Sequence, residues 1–125
     1  EQYAVGALSG RAATWGKEDH VKTQFAKMKT NFVDKGYPVI MGEFSVARRT
    51  TYTGDALMHH LNSRAYYLKF VTEQAKNYGL VPFYWDNGGT GNLAFGIFDR
   101  ETNRIADEKA LNALIEGSVA GTYPY

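Results

Sequence analysis

The sequence contains no cysteine and only three prolines in 125 residues. Without cysteine there is no disulfide framework, no thiolate metal site and no thiol nucleophile, though the absence does not distinguish an oxidising from a reducing compartment. An excess of either charge is also missing. Fourteen basic residues face 13 acidic ones for a formal net charge of +1, which argues against nucleic acid and anionic membranes as partners. No apolar run approaches the roughly 20 residues of a membrane-spanning helix, and the opening EQYAVGALSG has neither the basic start nor the apolar core of a signal peptide, so a soluble chain is expected. What is plentiful is aromatic: nine Tyr, seven Phe and two Trp. Core packing uses most of such a supply, and the remainder suits stacking on flat apolar faces such as those of sugar rings.

The stretch through about Gly16 is small, Gly-rich and aperiodic, and reads as a loop. From Lys17, Val21, Phe25, Met28, Phe32 and Val33 fall at helical spacing, with Gly36 as the stop. Pro38 opens Val39-Ile40-Met41, an apolar run too short for a helix, which reads as a strand buried on both faces with Glu43 at its C-terminal end. After a polar loop from Ser45 to Gly54, Asp55 is expected to cap a long helix carrying Leu57, Leu61, Ala65, Leu68, Val71 and Ala75 on one stripe, ended by Gly79. A second short strand, Leu80 to Trp85, ends in the turn Asp86-Asn87-Gly88-Gly89. A third helix is expected from near Asp107 to Gly117, bearing Leu111, Leu114 and Ile115.

Two consecutive strands joined by a helical crossover must be parallel, which selects the α/β class. Two parallel strands with three helices form a sheet with both edges open, so the chain reads as part of something larger. The chemistry-bearing feature is Glu43, a carboxylate at the end of a buried strand behind Gly42, which would let the backbone approach whatever the carboxylate faces. In a barrel of alternating strands and helices the C-terminal strand ends carry catalysis, whereas elsewhere a strand-end Glu makes a salt bridge or caps hydrogen bonds.

PVIMGEF, residues 38–44, resembles the seventh strand of glycoside hydrolase family 5, the cellulase family, in which a Gly-Glu-Phe stretch ends the strand of the catalytic nucleophile. VPFYWDNG, residues 81–88, is similar to that family's eighth strand, and WDNG together with the TWG of Thr14 to Gly16 resembles its endoglucanase and xyloglucanase branch. The resemblance covers nearly the whole chain. It implies the C-terminal portion of a (β/α)8 barrel, strands seven and eight with flanking helices, as one fragment of a single catalytic domain over residues 1–125. It further implies a retaining endo-β-1,4-glucanase acting on cellulose-like or xyloglucan polysaccharide, with Glu43 as nucleophile, Trp85 as sugar platform and Asn87 hydrogen bonding to sugar hydroxyls. No cofactor is implied, since the double displacement needs two carboxylates about 5–5.5 Å apart and no metal. The second carboxylate is absent: the family's Asn-Glu-Pro stretch does not occur here, nor do its His and Tyr after the sixth strand. The missing N-terminal part of the barrel, on the same or a separate chain, is the expected partner, the isolated chain is expected to be inactive, and a secreted enzyme is expected because polysaccharides lie outside cells.

The alternative is a non-catalytic carbohydrate-binding or interaction module using the aromatic residues, which would need a closed core of its own. His59 and His60 are adjacent on a helix and point about 100° apart, so they do not form a metal pair. Arg48 and Arg49 read as solvated loop residues, Gly88 to Asn92 as a flexible loop at the mouth of a barrel, and Trp15 as either an outer sugar contact or a cover for the following helix.

Overall fold

A computed structural model describes residues 12–125; the sequence reading of the first eleven residues as loop lies outside them. Helix α1 is Glu18–Asn31, strand β1 Val39–Phe44, helix α2 Gly54–Asn77, strand β2 Leu80–Tyr84, the short strands β3 and β4 Phe98–Asp99 and Arg104–Ile105, and helix α3 Glu108–Ala120. β1 and β2 pair in parallel, with α2 as the crossover, while β3 and β4 form a separate antiparallel pair. The parallel α/β arrangement is thus as expected, and among the described residues the two strands do not close into a barrel.

Local chemistry explains the elements. α1 has Glu18 and Asp19 in its first turn and Lys29 in its last, the arrangement that favours the helix dipole. It ends at Asn31, earlier than the apolar spacing of Phe32 and Val33 suggests. A single 3₁₀ turn, Val33–Lys35, follows, and Gly36 closes it in the left-handed conformation. In α2 the capping position belongs to Thr53, and Asp55 lies within the first turn, so Asp55 assists the dipole instead of capping. Gly79 joins α2 to β2 with φ +83°, and a Cβ there would stand 2.6 Å from Val33 Cγ1; both the backbone and the space require glycine. α3 begins as anticipated: the Asp107 carboxylate accepts the Ala110 N–H at 3.0 Å, a side-chain cap.

The core lies on one side of the parallel pair. Phe44, Leu68, Val71, Ile97, Ala110 and Ala113 are buried together, and Val21, Phe25, Met41 and Tyr84 pack against them. α2 and α3 approach closely because α3 turns Ala110, Ala113 and Gly117 toward α2. A Cβ on Gly117 would lie 2.4 Å from the Lys69 carbonyl oxygen. The expectation of strands buried on both faces does not hold within this chain. Ile40 and Phe83 are more than half exposed and Val81 is exposed, whereas Leu80 and Phe44 are buried. The helices cover one face of the pair, and no described element covers the other.

One polar cluster joins these layers. Arg64 of α2, almost fully buried, donates through Nε to the Val46 carbonyl at 2.9 Å, through Nη1 to Asp107 Oδ2 at 2.5 Å and through Nη2 to the Tyr84 hydroxyl at 3.3 Å. Tyr84 donates in turn to the Phe95 carbonyl at 2.6 Å. Arg48, read from sequence as solvated, instead bonds the Ala106 carbonyl at 3.1 Å and sits 3.8 Å from Asp107 Oδ2. It brings a second cation to a buried carboxylate that Arg64 already pairs. The neighbouring Arg49 N–H donates to Nε2 of the buried His60 at 2.9 Å, and the Arg49 guanidinium lies 6.0 Å from the Tyr52 ring centroid. His60 is thus a satisfied structural residue. Replacing Arg64 by Met is expected to lower the unfolding free energy by about 3 kcal/mol, because it removes the direct ion-pair partner of the buried Asp107 and leaves only the more distant Arg48 cation. The same change at Lys69, which pairs with Glu116 at the surface, should cost less than about 1 kcal/mol. Urea unfolding of the two variants side by side checks the contrast.

Candidate active site

Glu43 is the second-to-last residue of β1, at the C-terminal end of the strand as the sequence reading has it, and a strand irregularity sets its direction. Met41 pairs with Pro82 and Phe44 with Tyr84, so β1 advances three residues while β2 advances two. Strict alternation would put Glu43 on the Met41 side, in the core, and turn Phe44 out. The extra residue of this bulge reverses both. Phe44 is buried edge-to-face against Tyr84, ring centroids 5.8 Å apart, and Glu43 is exposed on the uncovered face. A Cβ on Gly42 would meet no described atom within 4 Å. Among the described residues Glu43 has no hydrogen-bonding or ion-pair partner.

Trp85 follows β2 directly. Its N–H donates to the Phe44 carbonyl at 2.9 Å, so the parallel ladder runs one residue past the strand. Tyr84 faces the core, hence Trp85 faces the open side, where it remains 47% exposed. The ladder thus brings Glu43 and Trp85 to the C-terminal ends of adjacent parallel strands on one face. Trp15 is exposed and sits with its ring centroid 5.0 Å from that of His20.

The segment after Trp85, expected as a turn from Asp86 to Gly89 running into a flexible loop from Gly88 to Asn92, is pinned by its own side chains. Asp86 accepts from the N–H groups of Gly88 at 2.7 Å, Ile97 at 2.9 Å and Phe98 at 3.4 Å, with Arg100 Nη2 at 3.5 Å. The Asn87 side-chain oxygen accepts from Gly89 N–H and Phe95 N–H, both at 3.1 Å. Asn87 consequently has a structural role that sequence reasoning did not assign, and its carboxamide N–H groups are what it can offer a ligand. The loop after β1 is stitched to the same segment: Arg48 and Ala94 form an isolated antiparallel bridge, and Thr50 N–H reaches Asn92 Oδ1 at 3.0 Å. Farther on, Asp99 holds the β3–β4 turn through the Thr102 hydroxyl at 2.6 Å and the N–H groups of Glu101 and Thr102. Asp99 followed by Thr102 and Asn103 was the available turn signal for this hairpin, which the sequence reading passed over.

Burial works against ionisation of Asp86, but the N–H donors of Ile97, Gly88 and Phe98, with the Arg100 guanidinium, outweigh it and hold the carboxyl below the usual range. A depressed folded pKa contributes stability that is complete above the unfolded value and lost as pH falls through the folded one. The stability difference between wild type and Asp86→Asn should therefore be constant from about pH 7 to 5 and shrink below about pH 4. Urea midpoints at each pH measure it.

Among the described residues no group of three His, Cys, Asp or Glu side chains could hold a metal ion. The chemistry the face offers is an unengaged carboxylate beside a broad indole plane. An indole plane can take the C–H face of a sugar ring, and a carboxylate can act as a nucleophile toward carbon.

Comparison with known proteins bears on this geometry. The family model described as cellulase (glycosyl hydrolase family 5) matches residues 2–91. Endoglucanase A of Paenibacillus barcinonensis is 42% identical over 114 residues, covering 91% of this chain and 28% of that protein. The structure of a family 5 xyloglucanase from Paenibacillus pabuli in complex with ligand superposes with a TM-score of 0.85 at 38% identity, covering 93% of this chain and 32% of that one. A xyloglucan-specific β-1,4-glucanase of family 5 from a ruminal metagenomic library, in complex with XXLG, gives 0.87 at 31% identity, covering 95% of this chain and 32% of its own. The chain thus spans about a third or less of the length of the relatives it matches.

Proposed function

The chain belongs to the cellulase family, glycosyl hydrolase family 5, and from that premise we propose that residues 1–125 are the C-terminal portion of one catalytic domain, contributing strands seven and eight of a (β/α)8 barrel. The complete domain is a retaining endo-β-1,4-glucanase, with xyloglucan the favoured substrate because two of the matched structures are xyloglucanases. The single observation that supports this most is Glu43: an exposed, unengaged carboxylate beside Trp85, on the C-terminal ends of parallel strands, where barrel enzymes keep their catalytic groups.

The Glu43 carboxylate attacks the anomeric carbon, forming an ester as the bond to the leaving glucan oxygen breaks. A second carboxyl gives its proton to that oxygen. The same residue, now a carboxylate, takes a proton from water, and the water oxygen displaces Glu43 to release the sugar. Trp85 carries the ring at the cleaved bond, and the Asn87 N–H groups bind hydroxyls. Asp86 is unsuited to be the acid, since a general acid working near neutrality needs a raised pKa and that of Asp86 is lowered. Glu18, on α1, is buried and accepts the Tyr66 hydroxyl at 2.8 Å. Since the chain has no Asn-Glu-Pro stretch, the acid/base in this reading comes from the rest of the barrel, on the same or another chain. Because the polysaccharide is extracellular, the complete enzyme is secreted. No cofactor enters the cycle.

In the complete catalytic domain, Glu43→Gln is expected to reduce release of reducing ends from xyloglucan by on the order of 10³-fold or more. Azide added to a Glu43→Gly variant should restore turnover as a glycosyl azide, and the wild-type first product should retain its anomeric configuration. Near-normal hydrolysis by Glu43→Gln would sink the assignment. A second expectation concerns the 125-residue chain alone, which should release no reducing ends because its nucleophile has no acid/base.

A further inference from the structure

Asp86 has a pattern of contacts that a turn residue does not require. Its carboxylate accepts the Gly88 N–H within its own turn, but also the N–H groups of Ile97 and Phe98 on the returning chain. Its backbone carbonyl accepts from Arg100 Nη2 at 3.3 Å. Ile97 is a core anchor: it is 2% exposed, and its carbonyl accepts the N–H groups of Ala106 at 2.8 Å and Asp107 at 3.2 Å. Asp107 in turn pairs with Arg64. A continuous path of bonds therefore leads from the buried ion pair through Ile97 to Asp86, the residue immediately after Trp85. On the other side, the Trp85 N–H is held by the Phe44 carbonyl of β1. The Trp85 peptide is gripped from upstream by the sheet and from downstream by the Asp86 carboxylate.

We propose that Asp86 is a positioning residue for sugar binding, which holds the Trp85 indole and the Asn87 carboxamide at fixed places on the open face by tying their backbone to the buried Ile97. The inference rests on the reading of Trp85 as a sugar platform. Stacking is worth most when ring and indole meet face to face, and a stacking plane carried on a loop is only as well placed as that loop. Three N–H donors on one carboxylate leave its χ angles little freedom, and Asn87 repeats the device one residue later on Gly89 and Phe95. The acceptor strength is that of an ionised group, in keeping with the direction in which its pKa moves. The Asp86→Asn side chain would present one oxygen and one amide nitrogen, and the nitrogen would confront a backbone N–H; Asp86→Ala would leave all three donors without an acceptor.

The test compares Asp86→Ala, Asp86→Asn and Trp85→Ala in the complete catalytic domain, with KM and kcat measured on xyloglucan oligosaccharides. Loosening the platform removes binding that is uniform through the reaction, so Asp86→Ala should raise KM by about tenfold while kcat falls less than about threefold, with Asp86→Asn intermediate. A merely structural role would reduce the fraction of active molecules and thus the apparent kcat, leaving KM where it was. If Trp85→Ala raises KM and both Asp86 variants do not, the positioning role is wrong and the platform stands. If none of the three raises KM, the platform reading fails and the role of Asp86 fails with it. Should Asp86→Ala not fold, Asp86→Asn, which keeps the shape of the side chain, decides the matter by the same KM criterion.

Discussion

The buried pair of Arg64 and Asp107 is the interaction on which the rest of the structure depends. A guanidinium and a carboxylate in an apolar interior are tolerated only if every donor and lone pair finds a partner. Meeting that demand recruits a carbonyl from the segment after β1, the Tyr84 hydroxyl at the end of β2, the N-terminus of α3 and the side chain of Arg48. Each is a different part of the chain. The pair therefore registers α2 against both strand ends and against α3, and those strand ends are where Glu43 and Trp85 stand. Burial also pushes the Tyr84 hydroxyl up, with the Arg64 guanidinium opposing and the Asp86 and Asp107 charges assisting. Tyr84 so remains a donor to the Phe95 carbonyl over the neutral range.

Around this node the molecule separates into a covered and an open side. The covered side is built with small residues: Ala110, Ala113 and Gly117 let α3 lie against α2 at backbone contact, as the 2.4 Å that a Gly117 Cβ would leave to the Lys69 carbonyl makes plain. The open side carries Ile40, Val81, Phe83 and Trp85, whose apolar surface the described helices do not reach. A bulge of one residue decides on which side the carboxylate appears. Phe44 gains burial against Tyr84, and the same displacement puts Glu43 out. The burial of the aromatic side chain and the exposure of the carboxylate are here two results of one backbone irregularity.

Much of the fold was legible in the order of residues. Apolar spacing from Val21 to Met28 and from Leu57 to Ala75 marked α1 and α2, the short apolar runs at Val39 and Leu80 marked the strands, and a helix between two strands required them to be parallel. Those are local signals, set by periodicity and by the reach of the chain. The β3–β4 pair escaped notice because two-residue strands leave no periodicity, only the turn chemistry of Asp99. Asp55 was misread for Thr53 because both residue types cap helices, and a shift of two positions alters no pattern.

By itself, then, the sequence determined the α/β class, the three helices and the two parallel strands, and the residues with chemical potential: a carboxylate in PVIMGEF, an indole and a carboxamide in YWDNG. It could do so because residue type and spacing are local properties. Only the tertiary structure decided that β1 gains a residue on β2, so that Glu43 faces outward with Trp85. It alone showed that Arg48 and Arg64 converge on Asp107, and that Asp86 and Asn87 turn their oxygens on their own loop. Register, burial and hydrogen-bond partners depend on segments far apart in the chain. A strand's parity can be counted from its sequence, but the bulge that reverses it is visible only against the partner strand.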